Sequence, residues 1–306
     1  MILNRRLFLA MFSAAFAAQN LRAKTSEGGC SAIFAADIHH GDIDSEGIKK
    51  YRESLAKVSK MRLAQKDSGC AFLVNLGDAV DRNHKDWPPL LAEFDKFGIP
   101  VKHVLGNHDF ICSPAVQKKT VKMLCGESGY YSFDVGNWRF AVLDCMRLSK
   151  ISKIKNAACA AEFEKVYPPL AASKAPNSPA WGGGIDAEQR EWLDRLLARA
   201  DSERKNVAVI SHMMVYPVCE GSIYNPDDIG KILASHESAK IFIAGHYHRS
   251  VLQERDGVEY LTLAAMIGND EQTYSRLDFS DSLVMVKGFG AEISREIPLR
   301  GFKKRL

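Results

Sequence analysis

Short apolar blocks recur along this chain, separated by stretches of helical spacing or by turns rich in glycine and asparagine. Residues 31–36 form the first such block and read as a β-strand. Residues 45–64 then place Tyr51, Leu55, Val58 and Met61 at the spacing of one helix face. A second strand is expected at 71–76, a helix at 90–97 closed by Gly98 and Pro100, and a third strand at 101–105. Strand, helix, strand, helix, strand predicts parallel pairing through right-handed crossovers.

The second half changes character. Gly136-Asn137 is a two-residue turn between strands at 130–135 and 138–144. Residues 186–200 predict an amphipathic helix with Trp192, Leu193, Leu196 and Leu197 on one face. Strands follow at 207–210 and 241–244. A hairpin spans 251–265 around Asp256-Gly257, and another spans 277–289 with its turn near 280–282. Early parallel units and later hairpins predict an α/β fold of two stacked mixed sheets with helices outside. Residues 146–184 stand apart: Pro168-Pro169, Pro176, Pro179 and three consecutive glycines at 182–184 predict an irregular insertion, either a flap over a site or a surface loop.

The N-terminus belongs to a different category. Asn4-Arg5-Arg6-Leu7-Phe8-Leu9, a short Ala/Phe-rich stretch and Leu21-Arg22-Ala23 make an export signal over 1–23, resembling the twin-arginine type. The apolar stretch at 7–18 is shorter than the roughly 20 residues a bilayer span needs. Residues 24–30 read as a spacer and 31–306 as one domain, giving a periplasmic or secreted product. Without Arg5, Arg6 and Arg22, the formal charge falls from +4 to +1. A nearly neutral body gives no basic surface for nucleic acid, and the membrane enters only through export. The basic run at 300–305 is expected to be solvated. Seven cysteines without a C-x-x-C pair exclude a zinc ribbon and a dense disulfide framework, while one or two disulfides stay open. Cys30 follows Glu-Gly-Gly, which is no lipidation signal.

The chemistry lies in five runs, each where an apolar strand block ends: Asp37-Ile-His39, Gly77-Asp78-Ala-Val-Asp81-Arg82, Gly106-Asn107-His108-Asp109, Ser211-His212 and Gly245-His246-Tyr-His248. In open α/β sheets, the carboxyl ends of strands are where ligands bind. Five of the nine histidines fall in these runs, too many for scattered core histidines. Asp37 and His39, two apart on an extended strand end, are expected to point the same way, as are His246 and His248. The expected ligand set is Asp37, His39, Asp78 and His248 for one divalent ion, and Asp78, Asn107, His212 and His246 for a second, with Asp78 bridging. Mixed imidazole, carboxylate and amide donors suit Mn, Fe, Zn or Co rather than Mg or Ca. Two divalent ions outweigh these carboxylates, so the centre attracts phosphate. The expected reaction is attack on phosphorus by a hydroxide bridging the ions, with His108 as general acid. Asp81 or Asp109 would orient His108, and Arg82 would clamp a phosphate oxygen. His40 is expected near the mouth, His103 in the core or at its rim, and His84 and His236 in solvent.

This pattern resembles that of the calcineurin-like metallophosphoesterases: D-x-H, G-D-x-x-D, G-N-H-D/E, H and G-H-x-H. The likeness runs from Ser31 to about Ile267 and implies a four-layer αββα sandwich. Further stretches are similar to the manganese-dependent ADP-ribose/CDP-alcohol diphosphatases, which cleave pyrophosphate links in nucleoside diphosphate derivatives. They are Tyr51-Arg-Glu-Ser-Leu-Ala-Lys57, Tyr130-Tyr-Ser-Phe-Asp-Val-Gly-Asn-Trp-Arg-Phe-Ala-Val-Leu-Asp144, Gly184-Ile-Asp-Ala-Glu-Gln-Arg-Glu-Trp-Leu193 and Ile210-Ser-His-Met-Met-Val-Tyr-Pro217. The chain departs from that group at His39, where some members carry Gln; at His40, commonly aromatic; and at Arg82, commonly small. These changes move the pocket toward a generic phosphoesterase.

The leading expectation is therefore an exported metal-dependent hydrolase of phosphodiester or pyrophosphate bonds, acting on a small phosphoester or nucleoside-diphosphate-type substrate. A phosphomonoesterase on the same centre is the alternative within enzymes. A non-catalytic binding module on this scaffold is the alternative outside them, although no ligand position has been lost. Asp81 stands where a purple acid phosphatase would carry a metal-binding tyrosine, and the large second domain of a 5′-nucleotidase is missing.

Overall fold

The computed structural model describes residues 28–41 and 51–302, with Tyr51 and Arg52 described by backbone alone. The expected export signal, most of the spacer, the start of the first helix and the last four residues lie outside the described residues.

β1 (Cys30–Ala35), β2 (Phe72–Asn75) and β3 (Val101–His103) are parallel, and α1 (Tyr51–Ala64) and α2 (Trp87–Asp95) form the crossovers between them. After the short α3 (Asn107–Phe110) and α4 (Pro114–Cys125), the chain enters a second sheet through the hairpin β4 (Tyr131–Val135) and β5 (Trp138–Val142). Then come α5 (Ala157–Ala172), α6 (Ala187–Glu203), β6 (Asn206–Ile210), α7 (Pro226–Ser235), β7 (Ala239–Ala244), β8 (Val251–Arg255) and β9 (Val258–Thr262). β10 (Tyr274–Phe279), β11 (Leu283–Phe289) and β12 (Arg295–Pro298) return to the first sheet, antiparallel. The strand orders are β12-β11-β10-β1-β2-β3 and β4-β5-β6-β7-β9-β8.

Strand alternation builds the layers. In β1, Ala32 and Phe34 join Phe140, Ile210, Ile243 and Phe279 in a core made of strand residues from both sheets. Ile33 and Ala35, on the opposite face, belong to the core that also holds Val58, Met61, Trp87 and Leu90 of the helical layer. The second sheet repeats this arrangement. Ala208 and Ile210 face the first sheet, while Val207 and Val209 pack with Leu193, Leu197, Ile229 and Leu233. The result is the expected four-layer αββα sandwich. Its parallel strands run so that their carboxyl ends gather on one edge.

Four elements depart from the sequence-based expectation, in three ways. α4 and α7 begin at Ser113-Pro114 and Asn225-Pro226, cap-plus-proline starts that the apolar pattern alone does not pick out. β12 is short and only Ile297 in it is fully buried. The third departure is a correction. The insertion expected to be irregular over 146–184 contains α5, which runs through Pro168 and Pro169. Each interior proline loses its amide donor and crowds the carbonyl four residues back, at a cost of about 3 kcal/mol. Phe163, Val166, Tyr167 and Leu170 pack together with Leu148 and Tyr224, and each such side chain contributes about 1.5–3 kcal/mol on burial. Packing therefore overrides the prolines.

Arg300 is a further correction, because it is not solvated as the basic run suggested. Its guanidinium donates to the carbonyls of Leu233, His236 and Ala239, just past the end of α7, and to that of Asp256. A cation there satisfies carbonyls the helix leaves open and meets the negative end of its dipole. Arg300→Ala should destabilise the protein by about 2 kcal/mol in urea denaturation, with Arg300→Lys recovering less than half, because an ammonium cannot span these acceptors. A loss below about 0.5 kcal/mol would show that water replaces the contact.

Candidate metal centre

Left-handed backbone turns many of the functional side chains inward at the edge of the sandwich, while Asn107, His108 and Asp109 are carried by α3. Among the described residues, nine non-glycine positions have positive φ, and six of them are Asp37, His39, Asp78, Arg82, His246 and His248. This corrects the expectation of an extended strand end at Asp37–His39 and His246–His248. The paired side chains converge because the backbone turns, not because a strand alternates. Such a conformation costs on the order of 1 kcal/mol or more per residue, least for Asp and His. Backbone bonds between the loops hold it in place. The His39 amide donates to the Asp78 carbonyl (2.9 Å), His40 to Ala79 (2.8 Å), Arg82 to His108 (3.2 Å) and Gly245 to His212 (2.9 Å).

The motif glycines make room for this approach. A Cβ on Gly106 would lie 2.2 Å from both the amide nitrogen and Oδ1 of Asp78. One on Gly77 would meet His212 Nδ1 at 2.6 Å, and one on Gly245 would meet Asp37 Oδ2 at 2.8 Å. The loops are thus in contact with one another's ligands.

All seven expected ligands come together, nearly all of them buried. His248 Nε2 lies 3.3 Å and His39 Nε2 4.0 Å from Asp37 Oδ1, and His39 Nε2 is 3.6 Å from Asp78 Oδ2. On the other side, His212 Nε2 lies 3.3 Å from Asp78 Oδ2, 3.2 Å from Asn107 Oδ1 and 3.1 Å from His246 Nδ1. Asp78 therefore touches both groups, and Asp37 lies within reach of both as well. His248 is the exposed member.

A family model for calcineurin-like phosphoesterases matches residues 31–250. The chain belongs to the calcineurin-like phosphoesterase family. As a dinuclear metallophosphoesterase it is a hydrolase of phosphoric esters with two divalent metal ions as cofactors. It is similar to the manganese-dependent ADP-ribose/CDP-alcohol diphosphatase of Arabidopsis thaliana, 25% identical over 78% of this chain and 87% of the relative. It is also similar to that of Oryza sativa subsp. japonica, 27% identical over 76% and 82%. In fold it matches the crystal structure of a dimetal phosphatase from Danio rerio, with a TM-score of 0.77 and 22% identity over 89% of this chain and 99% of that one.

The donor chemistry of this phosphoesterase fits the metal pair. His212 Nδ1 lies 2.8 Å from the Leu76 carbonyl, which can only accept, so Nδ1 carries a proton and Nε2, facing Asp78, Asn107 and His246, is the atom a metal would take. Asp37 Oδ1 and His39 Nε2 are buried and make no hydrogen bond. Converging acceptors without donors are unfavourable in a buried site unless a cation lies among them.

Charge shifts follow from the same crowding. Burial alone would lower the His212 imidazole, but the charge of Asp78 and its hydrogen bond more than offset this and raise it to about 9. Burial and the neighbouring His212 push His246 down to about 3, which leaves it a neutral ligand. Burial would raise Asp78, yet His212, His39 and His108 hold it well below the ordinary carboxylate range.

The remaining candidates separate by geometry. His108 Nδ1 lies 2.5 Å from Asp81 Oδ1, and the His108 amide donates to Asp78 Oδ1 at 2.7 Å. Burial would raise Asp81, but hydrogen bonds from His108 and His39 keep it ionised. Asp109 does not orient His108, which corrects that expectation. It is the third residue of α3, so its carboxylate reaches back to the amides of Gly106 and Val80, both at 3.1 Å, and ties two motif loops together. Burial and the charge of Asp78 raise Asp109 to about 7. Arg82 is largely exposed at the rim, its Nε 3.5 Å from Asp81 Oδ1. His40 is buried and paired with Ser54 at 2.7 Å. His103 is buried, within 3.3 Å of Asn75. His84 is partly buried beside Thr120, and His236 is held between Asp201 and Asp194 rather than free in solvent.

One residue of the site escapes the motif pattern. Trp181, just before the three glycines of the insertion, lies with its ring 5.0 Å from that of His246. An aromatic residue before a glycine run is the only sequence signal, and nothing in it names the partner.

Because a metal must displace the proton that metal-free His212 carries up to about pH 9, manganese affinity should rise steeply with pH. An increase approaching tenfold per pH unit is expected between pH 6 and 8, read by calorimetric titration. The metal-free protein should behave in the opposite sense. The folded-state value of His212 is raised, so its contribution to stability is complete below about 6.5 and disappears as the pH passes about 9. Manganese affinity unchanged between pH 6 and 8 would remove His212 from the ligand set.

Proposed function

We propose that the chain hydrolyses the phosphodiester or pyrophosphate link of small phosphate compounds, with nucleoside-diphosphate derivatives such as ADP-ribose as the leading class. The observation that carries this reading is the His108–Asp81 pair, which stands beside the seven converging ligands with His108 in reach of His39 and Asp78. Curated relatives named for ADP-ribose and CDP-alcohol supply the substrate class.

Asp37, His39, Asp78 and His248 would hold one ion, and Asp78, Asn107, His212 and His246 the other. When bound, the pair supplies Lewis acidity toward phosphate oxygens and makes hydroxide available at neutral pH. The protein's own groups do the rest. Ionised Asp81 holds the Nδ1 proton of His108 and fixes the ring, so Nε2 presents the proton that the leaving oxygen takes as the P–O bond breaks. Arg82 lies next to Asp81 at the rim, where its guanidinium can meet a phosphate oxygen. The amide of His108 keeps Asp78 oriented throughout.

Asp78→Asn should abolish metal-dependent hydrolysis of ADP-ribose and of bis(p-nitrophenyl) phosphate. His108→Ala should retain manganese binding and lose activity by about 100-fold or more on esters with poor leaving groups, and by much less on p-nitrophenyl esters. An equal loss on both ester types removes His108 as the acid. If p-nitrophenyl phosphate alone is cleaved, the phosphomonoesterase reading replaces this one.

The same proposal places the mature chain outside the cytoplasm. Its support is Arg5-Arg6-Leu7-Phe8-Leu9 ahead of a short apolar stretch. The seven cysteines are all free, which suits a chain that folds in a reducing compartment before it is exported. No helix of the described residues is long and apolar enough to cross a membrane. Replacing Arg5 and Arg6 with lysines should stop delivery to the periplasm in fractionated cells; undiminished delivery would exclude this route.

A further inference from the structure

Trp181 combines exposure, rigidity and position in a way that packing does not require. Its side chain is 39% exposed, whereas Trp87 and Trp138 are buried to within 1%. Its ring packs against that of His246, a member of the ligand cluster.

The turn that presents it is clamped from both sides. The Gly182 amide and the Tyr224 hydroxyl both donate to the Pro179 carbonyl, at 2.9 and 3.0 Å. The Gly184 amide donates to Cys145, and the Tyr224 amide donates to Gly183. Asn177 Nδ2 donates to the Ile223 carbonyl. The three glycines are spatial necessities as well. A Cβ on Gly182 would meet the Tyr224 ring at 2.7 Å, and one on Gly183 the Cys145 carbonyl at 2.2 Å. A large aromatic held this firmly, yet left uncovered, gives up little conformational entropy when a flat group settles on it.

We propose that Trp181 is the platform on which the nucleobase of a nucleoside-diphosphate substrate stacks, making it a specificity-determining residue of the phosphoesterase site. This rests on the nucleoside-diphosphate reading above. Phosphate groups are drawn to the ligand cluster that includes His246, and the indole lies immediately beside that histidine. A nucleotide whose phosphate is engaged there can lay its base along the rim on the Trp181 side. Every base offers a π-face, so such a platform favours nucleotides over base-free esters without selecting one base.

The test uses the full manganese-loaded protein. Trp181→Ala should raise KM for ADP-ribose about tenfold and leave kcat within about twofold. A dialkyl diphosphate without a base should be cleaved as by the wild type. Trp181→Phe should restore KM, and Trp181→Leu, apolar but without a π-face, should not. Independently of turnover, AMP should quench tryptophan fluorescence in the wild type and not in Trp181→Phe, although calorimetry shows that this variant still binds AMP. The proposal is overturned if KM is unchanged in Trp181→Ala, if Leu restores it as well as Phe, or if phosphocholine quenches where AMP does not. It is also overturned if both substrates slow equally, the signature of a simple cover for His246. Should the wild type cleave neither ester, the functional reading fails, and AMP quenching alone then decides the platform.

Discussion

Lone pairs aimed at one another in a buried space are the constraint on which the rest of this structure depends. Asp37 Oδ1, Asp78 Oδ2, His39 Nε2, His212 Nε2 and Asn107 Oδ1 converge at separations of 3.2–4.0 Å, and a histidine proton is the only donor they can place among themselves. Such an arrangement is unstable alone and becomes favourable with cations in place. The surrounding protein is organised to keep these atoms from relaxing apart. Six left-handed residues turn the chain inward. Three glycines let the loops touch, and Asp109 ties the two central loops through the amides of Val80 and Gly106.

The fold serves the same end. Parallel strands in both sheets end on one edge, and the inter-sheet core of Phe34, Phe140, Ile210, Ile243 and Phe279 fixes the edges against each other. Ligands from β1, β2 and β3 can therefore meet ligands from β6 and β7 without long connections. His212 shows the link most directly. Its ring crosses from the second sheet to donate to the Leu76 carbonyl of the first, so the sheet-to-sheet contact also sets the tautomer of a ligand. Stability and chemistry share that one hydrogen bond.

Around this rigid centre the periphery is divided by role. Asp81 and His108 form a hydrogen-bonded pair on one side, with Arg82 in solvent beside them. On the other side the insertion brings Trp181 against His246. The insertion is itself ordered by α5, whose aromatic face packs with Tyr224 despite two internal prolines. The converging ligands and the His108–Asp81 pair come from the five motif runs, whereas Trp181 comes from the insertion.

The amino-acid sequence alone was sufficient for the layer order and for picking out the seven side chains that converge on one edge. Alternating apolar positions report which face of a strand is buried, and each ligand sits within a short run whose chemistry is local. It could not decide what depends on direction within a turn. Asp81 and Asp109 are equivalent neighbours of His108 on paper, and only the pitch of α3 sends Asp109 back to the backbone while Asp81 meets the imidazole. The same holds for α5, where prolines argue locally against a helix and burial argues for one. It holds for Trp181 too, whose partner is sixty-five positions away along the chain and in contact only once the second sheet has formed. Local pattern encodes which groups are present, and the packing of distant segments sets which of them touch, because contact energies exist only after the chain has folded.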